Sequence, residues 1–334
     1  MSSSSLPLGL PVVDETLATE MRSGLGAVEE MLRETVSNDD PFVSEAASHL
    51  IDAGGKRFRA MLVLLAAQFG ADPHAAGVVP AAAVVELTHV ATLYHDDVMD
   101  EAPARRGRES ANSRWSNTVA ILAGDYLFAR ASDIVADLGP EAVRVQARAF
   151  SRLVQGQIRE TAGPPADADE VEHYIGVVAD KTGSLIATAG RFGAMLSGAP
   201  DSIIDTITDA CERIGVAFQL SDDLLDVASE FDQSGKAPGT DLREGVLTLP
   251  VLHAKASSEA ADGQLRELLA SDLTDPDRHA RALRLLRESS AMERARADLH
   301  RWVDDARVKL ATLPAGPARE ALEGLCDFVL GRTG

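Results

Sequence analysis

The stretch Val84-Val85-Glu86-Leu87-Thr88-His89-Val90-Ala91-Thr92-Leu93-Tyr94-His95-Asp96-Asp97-Val98-Met99-Asp100 is apolar for most of its length and ends in three carboxylates. It contains no glycine or proline, and its apolar spacing predicts the last turns of a helix over 74–100. On a helix, positions i and i+4 share a face about one turn apart. Asp96 and Asp100 therefore point the same way, while Asp97 is turned about 100° aside. No lysine or arginine sits at helical spacing within the motif to neutralise the pair. The same Asp-Asp-x-x-Asp pattern returns at 222–226, after the apolar run Val216-Ala217-Phe218-Gln219-Leu220. Asp222 and Asp226 again share a face, with Asp223 turned away.

Outward from these two helices, apolar residues recur at helical spacing over 12–36, 40–53, 58–70, 117–138, 141–161, 169–197, 202–229, 248–257, 264–271, 276–288, 291–312 and 317–330. No alternating strand pattern emerges, and aromatics make up only 4% of the chain. The expected fold is all-α: a large helical bundle forming one domain over 11–334, after a flexible tail at 1–10. Ala60–Ala67 and Ala75–Val85, the longest purely apolar runs, are too short to span a membrane. No signal peptide is visible. Cys211 and Cys326 form no disulfide framework or zinc pattern, which favours a reducing, cytoplasmic setting. A formal charge of −20 argues against nucleic acid as a partner.

Two carboxylate clusters closing buried helices call for an external cation. All-oxygen ligation suits Mg²⁺, which keeps several waters and commonly bridges carboxylates to phosphate oxygens. The cationic motifs complement that reading. Gly54-Gly55-Lys56-Arg57-Phe58-Arg59 sets two glycines and three cations at a helix start, where backbone donors favour an anion. Arg105-Arg106-Gly107-Arg108 follows the first cluster by five residues, and its arginine forks can grip phosphate oxygens. Asp180-Lys181-Thr182-Gly183-Ser184 interrupts a helical pattern with small polar residues. Gly235-Lys236-Ala237-Pro238-Gly239-Thr240-Asp241 reads as a flexible loop. Of five lysines, three (Lys56, Lys181, Lys236) fall inside these motifs. His89 lies two turns below Asp96 on its face, and His95 is expected to serve packing.

Taken together, Gly-Gly-Lys-Arg-Phe-Arg from Gly54, the run from His89 to Asp100 with Arg105-Arg106-Gly107, Gly124-Asp125-Tyr126-Leu127, Lys181-Thr182-Gly183-Ser184, the run from Phe218 to Asp226, and Gly235-Lys236 through Thr248-Leu249-Pro250 resemble the trans-isoprenyl diphosphate synthase (polyprenyl synthetase) family over nearly the whole chain. The resemblance implies a homodimer of helical bundles, each around a central cavity with the two aspartate clusters across its mouth. It assigns isopentenyl diphosphate to Lys56, Arg59, His89 and Arg106. It assigns the allylic diphosphate to Arg105, Lys181, Thr182, Gln219 and Lys236. Magnesium, about three ions with substrate bound, would be held by Asp96, Asp100, Asp222 and Asp226. Ala60 departs from the family, which usually carries proline there.

Product length is expected to be read beside the first cluster. Ala91, five residues before Asp96, lies about 7.5 Å further down the helix, and its small side chain implies a long product, roughly C30 to C50 by the resemblance. Such a chain would suit a menaquinone side chain. A floor built by Phe128 or Phe150 would instead give a shorter product, as in a geranylgeranyl diphosphate synthase. A terpene cyclase is disfavoured by the intact second aspartate motif, and a non-catalytic subunit by the presence of both. A partner-requiring subunit of a two-component synthase is the remaining alternative.

Overall fold

The computed structural model describes residues 14–228 and 238–332. The tail expected at 1–10 and Lys236 lie outside the described residues. The chain is all-α. Its first helices are α1 (Glu15–Val36), α2 (Pro41–Asp52), α3 (Phe58–Ala67), α4 (Val78–Met99), α5 (Ala111–Arg114), α6 (Asn117–Asp137) and α7 (Pro140–Ala162). After these come α8 (Glu170–Val178), α9 (Ser184–Leu196) and α10 (Asp201–Ala228), and then shorter helices from Thr240–Glu244 to Pro317–Gly331. The sequence announces several helix starts. Asp14, Asp40, Ser116 and Asp169 each accept a backbone N–H of the first turn that follows, which satisfies donors the helix cannot.

Two details depart from the sequence reading. Ala104–Arg105 and Arg108–Glu109 pair as an antiparallel two-residue ribbon, too short to show any alternation. Helix α4 is long and apolar enough to cross a membrane by length and composition, with a mean hydropathy of 1.2. Uninterrupted apolar runs understate it because Thr88, His89 and Thr92 break them. However, 72% of that stretch is buried inside the fold, so it behaves here as a core helix.

Contacts group the helices into two compact units. The first takes its described residues from Met1–Ser151, Leu185–Asp209 and Thr312–Gly324. Helix α4 is its centre, packed against α1, α3 and α6. Tyr94, fully buried, donates its hydroxyl to Ala46 O at 2.6 Å and accepts Leu50 N at 3.2 Å, which pins α4 to α2. Gly124 lets α6 approach α4, since a Cβ there would overlap the His95 ring and lie 3.1 Å from Ala91 O. His95 thus serves packing, as expected. Its Nε2 stands 3.1 Å from Ile121 O.

The second unit takes its described residues from Arg152–Ser184, Ala210–Ala311 and Leu325–Gly334. The helix Leu249–Lys255 packs against Ser290–Leu310 and against α8, with His253 Nε2 2.7 Å from Asp298. Both cysteines are buried, and burial pushes the Cys211 thiol up to about 12, so Cys211 packs as an apolar side chain.

Gly193 lets α9 approach α3, since a Cβ there would overlap Val63 O and lie 2.8 Å from Ala66 Cβ. Gly193→Ala should destabilise the protein by at least about 2 kcal/mol through overpacking. A thermal melt should show a midpoint several degrees lower.

Candidate active site

In the first unit, the three carboxylates of the first cluster part company. Asp97 is fully buried, and Arg105 Nε donates to its Oδ1 at 2.6 Å. Burial raises the Asp97 pKa, and the Arg105 guanidinium opposes that rise. Asp96 is half-buried and Asp100 exposed at the helix end. The middle carboxylate is therefore spent on the fold, while Asp96 and Asp100 remain at the surface of the cluster, as their spacing implies.

Arg105 reaches Asp97 because the ribbon turns at Arg106-Gly107, with φ of 53° and 73°. Positive φ at both central residues is the tight hairpin geometry that matches strand twist. The turn aims Arg106 back into the fold, where its Nη1 donates to Leu50 O at 2.8 Å and to Gly54 O. Its guanidinium lies on the Gly55 backbone, 3.2 Å from where a Cβ would stand. The glycine pair thus admits an arginine as well as opening the loop.

Of the three cations at 56–59, the structure separates one. Arg57, with φ of 44°, turns inward and is buried between Glu29 and Glu86. Its Nη2 donates to Ile51 O at 3.1 Å, so Arg57 braces α1 and α4 rather than facing a ligand. Lys56 is exposed and Arg59 half-buried. Burial pushes the Arg59 pKa down to about 10, with Glu86 opposing and Arg106 adding to the fall. The Ala60 departure has a consequence here. Its N–H donates to Glu86 Oε1 at 3.1 Å, a bond proline cannot make.

These cations converge on His89. Its pKa is held well below 6.5, first by burial and then by Arg59, Arg106, Arg105 and Arg57. Burial and four guanidinium charges, two of them paired with carboxylates, disfavour the imidazolium form of His89.

The second unit repeats the carboxylate division with other partners. Asp223 is buried and accepts the Tyr174 hydroxyl, Leu249 N at 3.1 Å and Gln219 Nε2 at 3.3 Å. Burial raises its pKa to about 7 against those three donors. Gln219, which the resemblance places on the allylic diphosphate, is here a partner of Asp223. Asp222 is paired with Arg332 Nη2 at 2.5 Å. Asp226 accepts Thr240 N and Asp241 N at 3.1 and 3.3 Å, which ties the following segment to the cluster.

The polar interruption at Lys181 is a π-turn, Ala179–Gly183, joining α8 to α9 without a break. Such bulges concentrate at functional sites. Arg152 and Arg159 grip Asp180, and Arg152 also binds Glu212 at 3.0 and 3.1 Å. Gly156 lets the turn close, since a Cβ there would lie 2.8 Å from Lys181 N. Lys181 Nζ donates to Glu160 at 2.6 Å, and Thr182 is half-buried beside it.

Sequence reasoning missed Arg332. It stacks 4.6 Å over Phe218 and 5.7 Å from Phe328 while it holds Asp222. At 110 residues from its carboxylate, helical spacing carries no signal of it.

The polyprenyl synthetase family model matches residues 40–286. The chain belongs to this family. It is a prenyltransferase with the all-α fold of the trans-prenyl diphosphate synthases. It is 48% identical to a nonaprenyl diphosphate synthase of Mycobacterium tuberculosis, covering 98% of this chain and 97% of that one. Among solved structures, the geranylgeranyl pyrophosphate synthase of Corynebacterium glutamicum, complexed with calcium and isoprenyl diphosphate, aligns at a TM-score of 0.88 and 44% identity, over 97% and 99% of the two chains. A decaprenyl diphosphate synthase from Rhodobacter capsulatus aligns at 0.85 and 35%, over 96% and 99%.

The carboxylates fit the divalent metal this family uses. Among the described residues, no three His, Cys, Asp or Glu side chains form a ready-made metal cage. Two carboxylates per cluster, with the third locked inward, suit a hard cation that takes its other ligands from water and phosphate.

His89 carries a pH signature. Its folded-state pKa lies below the 6.5 of an unperturbed histidine, so the unfolded chain takes up the proton first as pH falls below that value, and stability is lost. In an NMR titration, the His89 ring should stay neutral through pH 6.5, and inorganic diphosphate should raise its midpoint. A midpoint at or above 6.5 in the free protein would contradict the cation arrangement.

Proposed function

We propose that the protein joins isopentenyl diphosphate to an allylic diphosphate, such as farnesyl or geranylgeranyl diphosphate, and repeats the step to a long all-trans polyprenyl diphosphate. The observation that supports this reading is the twofold division of carboxylates: Asp97 and Asp223 are buried and hydrogen-bonded, while Asp96, Asp100, Asp222 and Asp226 are the less buried members of their clusters. The cation pocket around His89 supplies the complementary anion site.

In this reading Lys56, Arg59, His89 and Arg106 hold isopentenyl diphosphate, with the neutral imidazole donating one hydrogen bond. Arg105, Lys181, Thr182 and Lys236 hold the allylic diphosphate, and Gln219 acts through Asp223. Magnesium, held by the four outer carboxylates, supplies charge stabilisation for the departing diphosphate. The allylic C–O bond breaks, and both electrons leave with diphosphate. The isopentenyl double bond forms the new C–C bond, and a proton is then lost to the released diphosphate. Fixed cations around leaving oxygens do this work by electrostatic preorganisation, with no protein nucleophile.

The small Ala91 beside the chain's path supports a product of roughly six to ten isoprene units (C30 to C50). The 44% identity to a geranylgeranyl pyrophosphate synthase supports a second reading, a shorter product. Ile121 and Leu122 are 42% and 60% exposed on α6, an apolar face that suits a homodimer.

Purified protein incubated with Mg²⁺, isopentenyl diphosphate and farnesyl diphosphate should give a ladder by mass spectrometry, absent in chelator, that ends at six or more isoprene units. A C20 end point would favour the shorter reading, and no extension with any primer would favour a partner-requiring subunit. Asp96→Asn should lower kcat by about 100-fold or more, while the exposed Asp137→Asn leaves it unchanged. Ala91→Phe should shorten the ladder, and an unmoved product would remove Ala91 from the chain's path.

A further inference from the structure

The helix Pro276–Glu288 turns one stripe toward the end of the second aspartate cluster. His279, Leu283 and Arg287 fall at i, i+4 and i+8 on it and so share a face. Arg287 Nε donates to Val227 O at 2.6 Å, one residue past Asp226. His279 Nε2 donates to Gly239 O at 2.8 Å. A carbonyl only accepts, so the ring carries a proton at Nε2. Gly239 opens the short helix Thr240–Glu244. One helix thus holds the chain at a residue before Lys236 and at a residue after it.

The hold on Gly239 is close. Its φ is 70°, and a Cβ there would lie 2.8 Å from His279 Nε2 and 3.1 Å from Leu283 Cδ1. Glycine alone adopts this backbone freely and admits the imidazole so near. The same turn reaches back to Asp226. Gly239 N donates to Asp226 O at 2.7 Å, while Thr240 N and Asp241 N donate to its two carboxylate oxygens at 3.1 and 3.3 Å. His279 is 5% exposed and sits on the face that carries the buried Ala282, Leu283 and Leu286. A leucine would fill such a position without burying a polar ring. What the imidazole adds is the bond to Gly239.

We propose that His279 is a positioning residue for the second aspartate cluster, acting through Gly239 on Asp226. The inference rests on the reading above, in which Asp226 holds magnesium. The amides of Thr240 and Asp241 set the plane of the Asp226 carboxylate, and the turn whose carbonyl His279 holds sets those amides. Removing the donor takes from Gly239 O its partner in a buried bond. The turn then relaxes, and the carboxylate moves with it. A ligand whose outer support is lost binds its ion more weakly. The imidazole itself touches neither ion nor substrate.

Mn²⁺ binding in the presence of inorganic diphosphate, read by electron paramagnetic resonance, tests this apart from turnover. His279→Ala should weaken it by about tenfold and raise the Mg²⁺ concentration for half-maximal activity in parallel. The KM for isopentenyl diphosphate, whose cations lie in the other unit, should stay within about twofold of the parent. His279→Gln, which keeps a side-chain N–H, should recover most of the loss. A role in packing alone would lower the melting midpoint and leave Mn²⁺ affinity unmoved, and that result would overturn the inference. So would a loss as large in His279→Gln as in His279→Ala. Should His279→Ala fail to fold by circular dichroism, His279→Leu, which refills the volume without a donor, takes its place. A parent that binds no Mn²⁺ with diphosphate sinks the functional reading itself. A parent that binds it while every variant matches sinks only the role of His279.

Discussion

A carboxylate locked inward at the centre of each aspartate cluster fixes the rotation of its helix. Asp97 cannot leave Arg105, and Asp223 cannot leave Tyr174 and Leu249 N, without exposing a buried charge or donor to apolar surroundings. Asp96 and Asp100 must then face about 100° away, and so must Asp222 and Asp226. Two carboxylates a turn apart on one face repel one another, and in the second cluster the Arg332 guanidinium offsets that repulsion by pairing with Asp222. The inward third holds them in that unfavourable presentation. The partners differ between units, a guanidinium in one and a phenol with a backbone amide in the other, so the shared element is the geometry and not the chemistry of the anchor.

The same economy of charge explains how a chain of net charge −20 recognises anions. Overall charge repels diphosphate at long range, but screening limits that effect to about 10 Å at moderate ionic strength. At contact, the local field decides. Burial first, and then the charges of Arg59, Arg106, Arg105 and Arg57, hold the His89 pKa well below 6.5. Two of these arginines carry carboxylate partners, Arg57 with Glu29 and Glu86, and Arg105 with Asp97. Arg106 is held by backbone carbonyls instead, which orient a guanidinium without cancelling its charge. Such an arrangement leaves net positive potential where a ligand can use it.

How much of this was legible in the sequence depends on whether the signal is periodic. The helices and the facing of Asp96 with Asp100 follow from spacing alone. So does the turning aside of Asp97 and Asp223, though not their burial. What the sequence hides is pairing at long range. Nothing near Asp222 announces Arg332, and nothing near Thr88 announces Gln146, 58 residues away. Composition also misleads locally. Lys56, Arg57 and Arg59 look equivalent in a basic turn, yet the positive φ of Arg57 sends that side chain into the core. The polar interruption at Lys181 marks an irregularity, but spacing cannot tell a π-turn from a broken helix.

Backbone irregularity itself is distributed unevenly. Among the described residues, the non-glycine positions with positive φ are Arg57, Glu101 and Arg106, and all three flank the first cluster or its cation pocket. Such conformations cost of order 1–3 kcal/mol each and persist only where surrounding contacts hold them. Here those contacts are visible: Arg57 is clasped by Glu29 and Glu86, and Arg106 by two carbonyls. In the second unit the π-turn plays the corresponding part, clasped through Asp180 by Arg152 and Arg159. A regular helix could display Lys181 or Arg106 only on the side its phase dictates. A strained turn held by ion pairs lets the cation be aimed independently of that phase. The contacts that look purely structural, the ion pairs of Asp180 and the carbonyls that hold Arg106, are therefore what aim these cations.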